Sequence, residues 1–129
     1  APIKDVEKTA VWRLAKWRNA WANSLGAIPP IPENSISKPP SAELRPDQTD
    51  QDSLPEYEIL DAILDAYVEK RRGVAEIIAS GFDAEVVNKI VALVDRAEWK
   101  RRQGAIGPKI TGMAFGRDRR LPITNKYKG

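Results

Sequence analysis

Apolar residues fall at helical spacing in three separate stretches of the chain. Val11, Leu14, Ala15, Trp21, Ala22 and Leu25 form the first, and Gly26 follows as a stop. Asp5 stands where an N-cap would, with Glu7 in the first turn, so the pattern predicts a helix over 6–25. Trp12 and Trp17 widen its apolar surface beyond one stripe. Either this helix is buried on several sides, or it needs a neighbouring domain that the sequence does not supply.

Residues 26–54 break the pattern. Six prolines (29, 30, 32, 39, 40 and 46) forbid helix and central strand, and the spacing predicts no more than a short extended piece near Ile36. Ile28, Ile31, Ile36 and Leu44 call for burial, so an ordered loop draped on a scaffold fits better than a flexible linker. Ser53-Leu54-Pro55-Glu56 reads as a capping box. Tyr57, Leu60, Ile63, Leu64, Tyr67 and Val68 then give a clean stripe to about Lys70, and Arg71-Arg72-Gly73 ends it. Val74 to Ser80 predicts a short helix stopped by Gly81. Asp83 caps a fourth helix, with Val87, Ile90, Val91, Val94 and Ala97 on one side, reaching about Arg102. From Gln103 the chain is irregular and basic. The expected organisation is therefore a helix over 1–25, a Pro-rich loop over 26–54, a helical segment over 55–102 and a basic tail over 103–129.

Charge sharpens this picture. The net charge of +3 hides nine Lys/Arg against one acid from Lys100 onward, and nine acids against one base from Glu43 to Glu69. Such a split predicts an anionic partner for the tail, or pairing between the two regions. The turn between the third and fourth helices resembles a helix-turn-helix, but the second helix begins with Asp83 and Glu85 where base-reading residues would stand.

Composition removes several chemistries. The chain has no cysteine and no histidine, which excludes disulfides, thiolate nucleophiles, imidazole general acid/base work and His or Cys metal sites within it. Any metal would need oxygen ligands. Asp47, Asp50 and Asp52 resemble half of a calcium loop but lack its glycine and terminal glutamate, so N-capping aspartates in a polar loop are the simpler reading. No metal ligand is assigned. No apolar run approaches a membrane span and no signal peptide is visible, so the expected location is cytoplasmic. Lys8 opens the first helix, where a cation opposes the helix dipole unless an anion binds there. Position alone favours a solvated lysine.

Four motifs together carry a resemblance that spacing cannot. They are Asp5-Val6-Glu7-Lys8-Thr9 with its helix, the run from Lys38 to Leu64 (KPPSAELRPDQTDQDSLPEYEILDAIL), Glu98-Trp99-Lys100-Arg101-Arg102-Gln103, and Ala114 to Asn125 (AFGRDRRLPITN). In this order they resemble the C-terminal part of the synthetase domain of bacterial glutamine-dependent NAD⁺ synthetases. The resemblance implies a mostly α segment, with about four helices, of an α/β Rossmann-like ATP pyrophosphatase domain of the adenine nucleotide α-hydrolase-like kind. It implies a ligase that uses ATP and Mg²⁺ to adenylate deamido-NAD⁺, then displaces AMP with ammonia from a glutaminase domain. It implies a homo-oligomer with no membrane or nucleic-acid partner.

Residue by residue, Lys8 matches the family's phosphate-binding lysine and Ser41 a hydroxyl contact to ATP. Lys100 matches a lysine that binds deamido-NAD⁺. Trp99, which stands where the smaller ammonia-dependent enzymes have histidine, and Asp50 and Asp52, in a loop that closes over substrate, are further candidates for that ligand. The family's Ser-Gly-Gly-x-Asp-Ser pyrophosphate loop is not in the sequence. The chain opens Ala1-Pro2-Ile3 without Met and reads as a fragment, expected to be inactive alone. Two other readings stay open: a helical nucleic-acid-binding module using the basic tail, and an oligomerisation segment.

Overall fold

Six α-helical segments make up most of the computed structural model, which describes residues 1–38, 54–114, 118–122 and 124. No strand occurs among these residues. The chain divides into two units, one formed by Glu7–Glu58 and the other by Ala1–Val6 together with Ile59–Gly129.

The first unit is built on α1 (Lys8–Ser24) and the short α2 (Glu33–Ser37). Helix α1 stops in a Schellman turn. Gly26 takes φ +69°, its N–H donates to Asn23 O at 3.0 Å, and Ala27 N donates to Ala22 O at 2.9 Å. The Pro-rich segment that follows is sewn back onto α1 by one side chain. Asn19 Nδ2 donates to Ile31 O at 2.8 Å, and Ile31 N donates to Asn19 Oδ1 at 3.1 Å.

Helix α2 replaces the extended piece expected near Ile36. Prolines 29, 30 and 32 all precede it, the window 33–37 contains none, and Glu33 suits the positive end of a helix. Ile36 is buried, as its sequence context asked, whereas Ile28, expected to be buried with it, is 91% exposed. In α1, only Ala22 is buried. Leu14, Trp17, Trp21 and Leu25 are exposed, and the Trp17 and Trp21 rings stack in parallel with centroids 5.9 Å apart. Of the face predicted from the spacing, Ala22 is buried, Val11 and Ala15 are half-buried, and Leu14, Trp21 and Leu25 are exposed.

The second unit holds the core. Helix α3 (Tyr57–Leu64) runs into one π-helical turn over Asp65–Glu69, followed by α4 (Val74–Ala79), α5 (Ala84–Arg96) and α6 (Glu98–Gln103). Ile63, Ile77, Val87 and Ile90 are sealed from solvent at its centre. The α3 and α5 stripes read from the sequence are the faces that meet there. Asp83 caps α5 as expected, accepting from Val86 N at 2.9 Å. Gly81 turns the chain between α4 and α5 at φ +105°. The capping box expected before α3 includes Ser53, which lies outside the described residues. Arg71 ends the π turn in the left-handed region, at φ 54°.

Two expectations fail here. The fourth helix does not continue to Arg102. It ends at Arg96, and Ala97 (φ −81°, ψ 7°) is both the C-cap of α5 and the N-cap of α6. No glycine or proline marks this break. Instead Arg101 Nη1 donates to Val94 O at 2.6 Å, a carbonyl that an unbroken helix would offer to Glu98 N. Asp5 also does not cap α1, whose N-cap is Glu7. Asp5 is buried and faces the far end of the sequence. Its Oδ2 accepts from Ile110 N (2.7 Å), Thr111 N (2.8 Å) and Thr111 Oγ1 (2.9 Å).

Candidate functional site

The described residues of the basic tail beyond α6 form no helix or strand and are tied to the helical core by carboxylates. Ala1 N donates to Ile106 O at 2.9 Å and Lys4 Nζ to Ala105 O at 3.0 Å, which begins the attachment that Asp5 completes. Further along, Met113 N donates to both oxygens of Glu69 at 3.1 Å. Arg119 Nη2 sits 2.9 Å from Asp95 Oδ1, with its guanidinium 4.2 Å from the Tyr67 ring centroid. Tyr67 OH donates to the same carboxylate at 3.0 and 3.1 Å. Asp118 pairs with Lys109 and accepts from Ala114 N. The acidic stretch contributes to this attachment through Glu69, which accepts the Met113 backbone N–H rather than a tail cation. The tail arginine is matched by Asp95 from α5. Arg119 is spent inside the fold rather than held out as part of a free basic arm.

The Glu98 carboxylate anchors the next layer. Its Oε2 lies 2.9 Å from Arg101 Nη2 and its Oε1 lies 2.9 Å from Arg102 Nε. Arg102 Nη2 in turn donates to Leu121 O at 3.0 Å. Burial by itself would push the Glu98 carboxyl up. Hydrogen bonds from Arg102, Arg101 and the Leu121 backbone, with the Arg101 charge, outweigh it and hold the carboxyl below its ordinary 4.5. Burial pushes the Tyr67 phenol above its ordinary 10.0. Arg119 opposes that push and Asp95 adds to it.

These two shifts act at opposite ends of the pH scale. A carboxyl lowered by folding adds stability that is complete above its unfolded value and vanishes as pH falls through the folded one. A phenol raised by folding adds stability that is complete below its unfolded value and vanishes as pH rises through the folded one. Urea midpoints are expected to fall below about pH 4.5 and above about pH 10. Tyr67→Phe should lessen the alkaline fall; an unchanged alkaline limb in that variant would show that Tyr67 does not contribute to it.

The candidate ligand-binding residues fall into two groups. In the first unit, Lys8 is the first residue of α1 and half-buried, with Nζ 5.5 Å from the Trp12 ring centroid. Trp12 meets Tyr57 edge-on, centroids 5.3 Å apart at 84°. The first turn of α1 carries no acidic residue. A lysine and a helix N-terminus together offer an anion a cation and N–H donors. In the second unit, Trp99 and Lys100 lie together on the outer side of α6, both exposed, with Lys100 Nζ 5.6 Å from the Trp99 ring centroid. A cation resting near an aromatic face is available to a second anionic or planar group.

The structure therefore unites Trp99 with Lys100 and places Lys8 in the other unit. Ser41, Asp50 and Asp52 lie outside the described residues. Sequence reasoning missed the buried pairing of Glu98 with Arg101 on the inner face of α6, and the group of Asp95, Tyr67 and Arg119. For Glu98 the signal was present, since arginines three and four residues later share its face of a helix. Among the described residues no group of three acidic side chains could hold a metal ion, and no helix is long and apolar enough to cross a membrane.

Comparison with known proteins gives this arrangement a context. A glutamine-dependent NAD⁺ synthetase of Acinetobacter baylyi is 60% identical over 128 residues, covering 99% of this chain and 23% of the relative. Its counterparts in Aquifex aeolicus and Thermotoga maritima are 53% and 49% identical, over 98% and 99% of this chain and 21% and 22% of their own lengths. The chain thus spans less than a quarter of these relatives. Among solved structures, the glutamine-dependent NAD⁺ synthetase of Acinetobacter baumannii in complex with ADP aligns with a TM-score of 0.55 at 54% identity. That alignment covers 95% of this chain and 20% of that one. A family model described as NAD synthase matches residues 1–104, and the chain belongs to that family.

Proposed function

We propose that this chain forms part of the nucleotide-handling end of a glutamine-dependent NAD⁺ synthetase and supplies ligand contacts for ATP-dependent amidation of deamido-NAD⁺. The observation that carries the reading is the near-complete alignment of the chain with an ADP-bound synthetase. In this reading the helices pack on a Rossmann-like ATP pyrophosphatase sheet contributed by sequence outside this chain.

The chemistry needs two activations. A carboxylate oxygen is a poor leaving group, so the nicotinate carboxylate attacks the α-phosphorus of ATP and pyrophosphate departs. Ammonia, delivered from a glutaminase domain, then adds to the acyl carbon and AMP leaves with the former carboxylate oxygen. Charge accumulates on phosphate oxygens throughout, and a cation fixed near them lowers the barrier. Lys8 and the N–H groups that open α1 are suited to hold such oxygens. Ser41 would add a hydroxyl contact. Lys100 would meet a charged group of deamido-NAD⁺, and Trp99, Asp50 and Asp52 are further candidates for contact with that ligand. Mg²⁺, when bound, supplies further neutralisation of phosphate charge; none of the described residues is assigned to it. Without the sequence that supplies the pyrophosphate loop, the 129 residues are expected to give no turnover.

Two substitutions in the synthetase that carries this segment test the assignments. Lys8→Ala is expected to lower kcat/KM for ATP about 100-fold. Lys100→Ala is expected to raise KM for deamido-NAD⁺ about tenfold with kcat nearly unchanged, the pattern of a lost binding contact. Steady-state assays of NAD⁺ formation with each substrate varied in turn would reveal either effect. A Lys8→Ala enzyme with unaltered ATP kinetics would remove the phosphate role.

A further inference from the structure

The geometry points to Arg101 as a positioning residue for Lys100: buried beneath α6, it fixes the direction in which that helix presents Trp99 and Lys100. The inference rests on the reading above that Lys100 contacts deamido-NAD⁺.

Helix α6 has six residues and follows a corner at Ala97. A helix of that length has too few internal hydrogen bonds to hold its own orientation. Something outside its backbone must set its angle to α5 and its rotation about its axis. Arg101 does both. Its Nη1 reaches back across the corner to Val94 O at 2.6 Å, joining the last turn of α5 to α6. Its Nη2 is held by Glu98 Oε2 at 2.9 Å, one turn earlier on α6. Residues 98, 101 and 102 share one face of the helix, and 99 and 100 lie on the other. Glu98 and Arg101 are 3% and 5% exposed, whereas Trp99 is 47% exposed. Locking the inner face therefore fixes the outer one.

Stability alone is a poor reason for this pair. A buried ion pair is often no better than a well-packed apolar pair of similar volume, because both charges lose water. Arg101 Nε, moreover, is buried with no hydrogen-bond partner among the described residues. The arrangement tolerates that cost while directing the other two nitrogens at two separate helices. Arg101 also adjoins Lys100 in sequence, so a change in its direction passes straight to the next side chain.

A double-mutant cycle in the full synthetase decides the matter. Arg101→Met is expected to raise KM for deamido-NAD⁺ about tenfold and to leave KM for ATP within about twofold. In a Lys100→Ala background the same change should have almost no further effect on KM, since the residue it positions is gone. Arg101→Lys, which can reach Val94 O or Glu98 but not both, should recover part of the affinity. Should Arg101→Met fail to fold, the Arg101→Lys cycle carries the same expectation, a smaller rise that disappears with Lys100→Ala. Effects that multiply in the double variant, or a parallel rise in KM for ATP, overturn the positioning role. A Lys100→Ala enzyme with unchanged KM for deamido-NAD⁺ instead overturns the underlying assignment of Lys100.

Discussion

Replacing Glu98 by alanine is expected to cost the chain about 3–5 kcal/mol, the range seen when one partner of a buried ion pair is removed. The carboxylate is almost fully enclosed and receives two guanidinium groups. Its loss would leave Arg101 buried without a countercharge and free Arg102 from the hold that brings it to Leu121. Glu98→Gln keeps the size and some hydrogen bonding, so it should fall between wild type and alanine. The natural control is the exposed pair of Lys70 and Asp65, whose side chains are 56% and 40% accessible. Asp65→Ala should change stability by less than about 1 kcal/mol. Urea denaturation followed by far-ultraviolet circular dichroism measures all three. A Glu98→Ala loss no larger than that of Asp65→Ala would mean that the carboxylate is solvated in solution.

Ile63→Ala is the second large effect. The side chain is inaccessible to solvent and belongs to the cluster that includes Ile77, Val87 and Ile90. Truncating it removes buried methylene groups and leaves a cavity that rigid helices can only partly close, which costs about 2–5 kcal/mol. Ile59, one turn earlier on α3, is 41% exposed. Its truncation should cost well under half as much, about 1 kcal/mol or less. The contrast within a single helix tests which face of α3 is turned inward, and equal losses at the two positions would contradict the packing.

Residue 63 also shows why part of the fold was legible in the sequence. A stripe of apolar residues at helical period reports one-sided burial, and α3 and α5 pack by the stripes that announce them. The Asp83 cap is equally local, because donor and acceptor lie three residues apart. The failures share the opposite property. Asp5 matches an N-cap by its neighbours, yet its partners are 105 and 106 residues away. The corner at Ala97 is made by a side chain four residues later and not by a helix breaker. Helix α2 forms because prolines forbid helix only locally, and the five residues 33–37 contain none. Of the two residues that widen the apolar surface of α1, Trp17 is exposed, but so are Leu14, Trp21 and Leu25 of the stripe itself, which periodicity alone would have buried.

For the candidate site the division is different. Periodicity placed Lys8 at a helix start but could not choose between solvent and an anion. It left Lys100 in an undistinguished basic cluster. The roles proposed for them rest on resemblance across four motifs; membership of the family agrees with that resemblance. The supporting layer, Glu98 with Arg101 and Asp95 with Tyr67 and Arg119, was hidden because charged residues are read as surface until a partner is known. Two of its carboxylates, Asp95 and Glu98, hold segments that are remote in sequence, which no local rule can foresee.

The bond between Asp5 and Thr111 has a consequence for how the protein is made. Asp5 is among the earliest residues to be translated in this stretch, and its carboxylate has no access to these donors until 106 further residues have been joined. At a synthesis rate of roughly 5–20 residues per second, that interval is about 5–20 s. Throughout it the aspartate must remain hydrated, since a lone buried carboxylate is too costly to enclose. The α3–α5 core can gather in the meantime, because its contacts need nothing beyond α5. The attachment of the first six residues to residues 105–111 then follows the gathering of that core, a closure across more than 100 residues of chain.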